Sequence, residues 1–321
     1  MFTGYGGLDM AISTVFGAEP IWHSDITKAT RKLLGHRHPG LPNHGDITGI
    51  DWNAVEAPDI LAGGFPCQDV SSAGFRRGLN GTTRTGLWSR MAEAIDILRP
   101  KLVIFENVRG LLNVASVRPL DGHDLGNRDT ARGSATPRAF GVVLGDLAAL
   151  GYDCRWLGLP ASAVGAPHRR FRVFGLAWRN PADPAGLQLQ RRRERPEMVQ
   201  PPRPTGLPAT VDRGEDGTPV WRRPLQDSFD RWESIIGRPP PDYRASNKNG
   251  RVCTNARWVE WLMGLPDGWV TDVPGMSRTM ALHMLGNGVV PLQATAALDI
   301  LASPELLGAA GLPAPGVRPA A

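Results

Sequence analysis

Apolar and polar positions follow two rhythms over the first 178 residues. Leu8, Ile12, Val15 and Phe16 recur at helical spacing directly after a glycine-rich start. The runs DILAGGF (59–65) and KLVIFEN (101–107) are short and nearly continuous, as expected of strands buried on both faces in a parallel sheet. Between them Leu87, Met91, Ile95 and Leu98 mark a second helix. Pro137 opens a third, with Phe140, Val143, Leu144 and Leu147 on one face and Gly151 beyond its end. FRVFGLA (171–177) predicts a further strand. PIWHSD (20–25) and the segment leading into GDI (45–47) predict two more. Strands alternating with helices predict an α/β, Rossmann-like doubly wound domain over residues 1–178.

The rhythm then breaks. From Pro181 to Pro241 there are twelve prolines and an arginine run, Arg191, Arg192, Arg193 and Arg195. Residues 179–255 therefore read as a loop-rich insert or small irregular domain. Pattern resumes over 256–304, with a short helix in ARWVEWLMGLPDGW stopped by Gly264. LGNGVVPLQATAALDIL (285–301) then reads as a loop leading into a helix, a segment returning to the first domain. Residues 305–321, rich in Ala, Pro and Gly, read as a flexible tail.

Composition narrows the function classes. A chain of 321 residues can bury a substantial core. No uninterrupted apolar run approaches the roughly 18 residues of a membrane span, and no secretory pattern opens the chain, so a cytoplasmic protein is expected. Cys67, Cys154 and Cys253 lie far apart and form no CxxC pair, which argues against a disulfide framework or a metal site. A net charge of +5 favours an anionic partner. The only lysines are Lys28, Lys32, Lys101 and Lys248, an arginine bias that a GC-rich genome explains equally well.

Three clusters carry candidate chemistry. FTGYGGLDMA (2–11) places Gly4, Gly6 and Gly7 before a helix, where a ligand can approach the backbone and the helix N-terminus. Asp25 and Asp46, each at an expected strand end, add carboxylates able to reach a ribose and a base; alone, each could equally be a helix cap. Cys67 follows DILAGGFP, at a sheet edge of the kind where open α/β folds bind ligands. An inert core cysteine would be the ordinary reading. Glu106, followed by Asn107 and Val108, ends the next strand and should emerge beside it, with a carboxyl whose pKa burial would raise. The third cluster is GAPHRRFRVF (165–174), where His168, Arg170 and Arg172 fall in step on one strand face.

Together these motifs resemble, in order, those of the DNA (cytosine-5)-methyltransferases, over residues 2–178 and about 256–300. FTGYGG, SDI, GDI, GFPCQ, ENV and HRRFR are similar to family motifs, as are WLMGLPDGW and GNGVVP near the end. Two positions depart from the pattern: His168 stands in place of a glutamine, and Ala73 where relatives often have serine. The family also begins with a strand just before its first motif. Here that strand is expected to be largely missing, because the chain starts at Met1-Phe2.

The resemblance implies a reaction and roles. Cys67 would add to carbon 6 of a flipped-out cytosine, and Glu106 would act as acid at N3, with Asn107 shaping the loop. Arg170 would contact the O2 side of the base, and Arg172 would organise the site or meet phosphate. The implied cofactor is S-adenosylmethionine, held by Phe2, Gly4, Gly6, Gly7, Asp25, Ile26, Asp46, Ile47, Gly64, Pro66, Leu87, Asn287 and Val289. Gln68, Ser71, Arg76, Arg77 and Arg84 would meet DNA in a loop that closes over the site, and 179–255 would read the target. Double-stranded DNA is the implied partner of a monomer, with a cognate restriction endonuclease as functional partner or in a stand-alone, phage or prophage setting. Other readings are a non-catalytic DNA-binding or regulatory protein of the same fold, or methylation of RNA cytosine. A Cys-His hydrolase using Cys67 with His23 or His168 would leave the glycine loop and both aspartates unexplained.

Overall fold

A computed structural model describes residues 1–66, 86–112, 139–179, 212–213, 219–220, 223–246, 250–310 and 312. Helix α1 (Gly7–Phe16) leaves a left-handed glycine at Gly6 (φ 82°) and stops at a second, Gly17 (φ 64°). Helix α2 (Lys28–Arg37) is capped by the Thr27 side chain, which accepts from the Thr30 amide. Strand β1 (Ile60–Gly63), helix α3 (Leu87–Leu98) and strand β2 (Leu102–Val108) follow. Next come α4 (Ala139–Ala149), β3 (Tyr152–Pro160) and β4 (Phe171–Arg179). These strands form one sheet in the order β1-β2-β4-β3.

Only β1 and β2 run parallel; β4 lies antiparallel to both β2 and β3. The sheet is therefore mixed rather than parallel throughout. The reason is β3, a strand absent from the sequence-based assignment. It takes the chain out along the sheet edge, so β4 returns in the opposite sense as its hairpin partner. Helices still cover both faces, as a doubly wound fold requires. On one face Leu61, Val103, Phe105, Val173 and Ala177 pack with Trp88, Met91 and Ile95 of α3 and Val143 and Leu147 of α4. On the other, Leu102, Ile104, Phe174 and Leu176 pack with α1 and with α8 (Pro291–Leu301).

The strands expected at 20–25 and before residue 46 are absent among the described residues; a single parallel bridge, His23 with Asn43, stands in their place. Residues 1–2 lie between β1 and this segment. The Met1 amine donates to the Ala62 carbonyl (2.7 Å) and the Phe2 amide to Ser24 (2.7 Å). Beside them a cavity of about 420 Å³ runs between Ile60–Ala62 and Ile21–His23, along the free edge of β1. Among the described residues no strand pairs with this outer edge of β1.

Between the sheet and the C-terminal segment, the described residues include regular elements that the proline content did not predict. Short pairs join β5 (Asp212–Arg213) to β6 (Pro219–Val220) and β7 (Arg244–Ser246) to β8 (Val252–Thr254). Helix α5 (Arg223–Ile236) lies between those pairs and packs Phe229 and Trp232 against Trp261 of α6 (Ala256–Leu262). The Trp232 indole donates to the Trp261 carbonyl (2.9 Å). Helices α7 (Arg278–Asn287), α8 and α9 (Pro304–Ala309) complete the chain, so part of the expected tail is helical. The stretch Arg278–Leu301 is apolar and long enough to cross a membrane, but α8 within it packs on α1 and the sheet.

Gly175 sits in the middle of β4, opposite Phe105, and any Cβ there would lie within the Phe105 ring. Gly175→Ala is expected to destabilise the fold by about 2–3 kcal/mol through overpacking. Urea unfolding checks this; a midpoint equal to that of the parent chain would contradict it.

Candidate active site

Strand register assembles the site. Gly63 lies opposite Phe105 in the parallel pair, so the next residues, Gly64 and Glu106, emerge side by side at the carboxyl ends of β1 and β2. A Cβ on Gly64 would come 3.0 Å from Glu106 Oε2, so glycine is what lets the strands stay together here. Because β4 is antiparallel, its first residues return to the same edge. Arg172 is opposite Val108, and its Nε stands 2.6 Å from Glu106 Oε1. The two side chains, both largely enclosed, form a close ion pair in which charge is the stronger part.

The Glu106 side chain is largely enclosed, and this burial pushes its carboxyl up to about 7, against the downward pull of Arg172 and Arg170. It is therefore shared between its protonated and ionised forms near neutrality. Asn107 is buried and spans the two strand ends: its Nδ2 donates to the Phe65 carbonyl (2.7 Å) and its Oδ1 accepts from the Val108 amide (2.9 Å). That bond fixes the backbone two residues before Cys67. Cys67 itself, with Gln68, Ser71, Arg76, Arg77 and Arg84, lies outside the described residues.

A cavity of about 450 Å³ opens from Glu106 toward the glycine-rich loop. Phe2, Gly4, Gly7, Asp25, Gly64, Asn287 and Val289 line it, among the residues expected to hold a cofactor. Gly6, Ile26, Asp46, Ile47, Pro66 and Leu87 do not. Gly6 instead supplies the left-handed turn into α1. Asp46 is exposed and caps a short turn; its Oδ1 accepts from the Thr48 amide and hydroxyl, which hold the carboxyl below its usual range. Ile47 is buried with Trp22 and Trp52. Asp25 braces the loop directly: Oδ2 accepts from the Gly4 amide (3.0 Å) and Oδ1 from the Thr27 amide (2.8 Å).

The two arginines have different partners. Arg170 is committed to backbone: Nε and Nη2 donate to the Gly288 carbonyl, and Nη2 to Gly286 (2.6 Å). Arg172 is the one beside the acid. His168, with its pKa lowered by burial, is neutral near pH 7, so its Nε2 donates to the Leu262 carbonyl (3.0 Å). It ties the strand entry to α6 and stands apart from any nucleophile among the described residues.

Among the lining residues that the sequence did not point to are Tyr5, Asp9 and Met284. Tyr5, buried, donates its hydroxyl to the Val289 carbonyl (2.6 Å) and fills the space left by Gly7 and Gly288, either of which would clash with its ring if it bore a Cβ. Asp9, in the first turn of α1, has its carboxyl raised by burial and stands 3.8 Å from Nδ1 of buried His23. Met284 of α7 forms part of the apolar wall. Tyr5 alone carried a signal, an aromatic set between glycines. Among the described residues no group of three or more His, Cys, Asp or Glu side chains could hold a metal ion.

Residues 1–201 match the family described as C-5 cytosine-specific DNA methylase. The chain belongs to that family. It is 24% identical over 311 residues to the Type II methyltransferase M.MspI of Moraxella sp, covering 90% of this chain and 66% of that protein. It is 32% identical over 179 residues to M.NgoBV of Neisseria gonorrhoeae, covering 54% of this chain and 39% of that protein. The chain thus spans less than two thirds of the length of these relatives. A DNMT2 mutant from Spodoptera frugiperda superposes with a TM-score of 0.54 at 17% identity, covering 93% of this chain and 97% of that one. DNMT2 from S. pombe gives 0.52 at 15%. At these identities the likeness establishes the shared methyltransferase fold.

Proposed function

We propose that the chain is a DNA (cytosine-5)-methyltransferase that uses Cys67 as nucleophile and Glu106 as acid on a cytosine flipped out of duplex DNA. The observation that carries this reading is one shared cavity. A buried carboxyl poised near 7 lies at one end of it, and the glycine loop, Asp25 and Val289 line the rest. Cytosine carbon 5 is a weak nucleophile. Addition of the Cys67 thiolate to carbon 6 makes it enamine-like, and a proton or hydrogen bond from Glu106 at N3 takes up the charge that develops on the ring. Loss of the carbon 5 proton then breaks the carbon–sulfur bond and returns the thiolate. Arg172 would hold the Glu106 carboxyl toward the ring, in keeping with a residue that organises the site.

The cavity fits S-adenosylmethionine. Gly4, with open space where a Cβ would stand, admits a ligand to the backbone, Asp25 offers carboxylate lone pairs at the rim, and Met284 supplies an apolar wall. When bound, that cofactor supplies an electrophilic methyl group to carbon 5. Residues 179–255 would read the target, and Gln68, Ser71, Arg76, Arg77 and Arg84 would meet DNA. A monomer acting alone or beside a restriction endonuclease is part of the same proposal.

The test is incubation with methyl-labelled S-adenosylmethionine and mixed-sequence duplex DNA. Label in 5-methylcytosine is expected, with a stable protein adduct on 5-fluorocytosine DNA, where fluorine blocks the elimination. No label in duplex DNA, or label in RNA cytosine alone, would overturn the assignment.

A further inference from the structure

The glycine loop is held on its pocket side by Asp25 and from behind by a residue 264 positions away. The Trp269 indole donates to the Tyr5 carbonyl at 2.8 Å. Trp269 does not line the cavity. Its aim is set by a carboxylate that the proposed reaction does not use. Glu260 of α6 is fully buried, and its oxygens accept from the amides of Gly268 (3.0 Å), Val270 (2.5 Å) and Thr271 (3.1 Å) and from the Thr271 hydroxyl (2.8 Å). Four donors on one buried carboxylate fix the 268–271 turn as a rigid unit.

Arg37 of α2 closes the unit from outside. Its Nε donates to the Trp269 carbonyl (2.9 Å), its Nη2 donates to Gly268 (2.5 Å), and the guanidinium lies 4.8 Å from the indole centroid. Tyr5 belongs to the same core as Val270, Trp261 and Trp232, and not to the core beneath the sheet. The loop facing the cofactor cavity is thus anchored on the C-terminal segment.

We infer that Trp269, aimed by Glu260 and Arg37, is a positioning residue for cofactor binding. Its indole N–H holds the Tyr5 carbonyl, so that Gly4 and Gly7 present their backbone to the ligand before it arrives. This rests on the cofactor reading of the cavity. Preorganisation of this kind acts on binding, and a single hydrogen bond is worth roughly 3- to 10-fold in affinity.

Trp269→Phe keeps the ring and removes the donor. Binding of S-adenosylhomocysteine, followed by calorimetry, is expected to weaken about fivefold. KM for S-adenosylmethionine should rise in step, with kcat within about twofold and an unchanged unfolding midpoint. Amide exchange over residues 2–8 of the unliganded protein should quicken. If Trp269→Phe fails to fold, Arg37→Met tests the same brace from its outer side, with the same signs expected. Unchanged affinity and exchange would overturn the inference, as would a parallel fall in kcat and unfolding midpoint, the mark of a merely structural role. If the parent chain binds no S-adenosylhomocysteine yet the variant still loosens residues 2–8, the cofactor reading fails while the brace itself stands.

Discussion

Cys67→Ser is expected to lower methyl transfer to duplex DNA by on the order of 10⁴-fold, leaving S-adenosylhomocysteine affinity within about twofold. The difference lies in the attacking atom. A thiol is partly ionised near neutrality and strongly nucleophilic, whereas a serine hydroxyl stays protonated unless a base stands beside it. His168 is occupied by the Leu262 carbonyl, and Glu106 faces Arg172. The two residues before Cys67 are Phe65, held through its carbonyl by buried Asn107, and Pro66. The substitution should therefore leave the strand end where it is. The same variant should form no adduct with 5-fluorocytosine DNA. Label transfer at the parent rate would remove Cys67 from the chemistry and the covalent mechanism with it.

What could be read from the sequence follows physical lines. Strands β1, β2 and β4 were legible because each appears as a continuous apolar run, with β2 and β4 buried over most of their length. Strand β3 was not. Its middle is open to solvent, with Arg155 and Trp156 exposed, and its apolar positions do not form a run. Helix α5 was hidden by its neighbours. Leu225, Phe229, Trp232 and Ile236 keep helical spacing, but prolines and masking charge around them suggested a loop. The segment 20–25 had the composition of a strand yet makes one bridge, because a strand forms only against a partner and β1 offers its free edge to Met1 alone.

The site was legible in its members and less so in their partners. Glu106 and Gly64 could be placed at one edge from two parallel runs and their endings. The separate partners of Arg170 and Arg172 could not be foreseen, since their alternate spacing alone places them alike. Which of them meets Glu106 depends on the antiparallel register, which places Val108 opposite Arg172. Arg170, two residues earlier, passes beyond β2 and meets the carbonyls of 286 and 288. Those carbonyls come from the far end of the chain, and no local pattern announces them.

Glu106→Gln is expected to slow methyl transfer by about 10²- to 10⁴-fold and to change the shape of the pH profile. The sign follows from the raised carboxyl. The group is ordinarily half-ionised at 4.5 and here at about 7, so the proton donor is present below 7 and is lost as pH rises through it. In the parent enzyme kcat/KM should fall on the alkaline side with an apparent pKa near 7, since that quantity reports the free enzyme. Glutamine can still donate a hydrogen bond at N3 but does not titrate, so the residual activity should lose that falling limb. Arg172→Met adds the opposite control. Arg172 is the largest influence opposing burial, so its removal should carry the limb to higher pH while leaving the carboxyl able to donate. A limb near 7 that persists in the glutamine variant would assign the titration to another group. A limb that moves down when Arg172 is removed would mean that the pair is not held by charge. Burial and one arginine set these two responses in opposite directions, so measuring both separates a tuned acid from a carboxylate that only shapes the pocket.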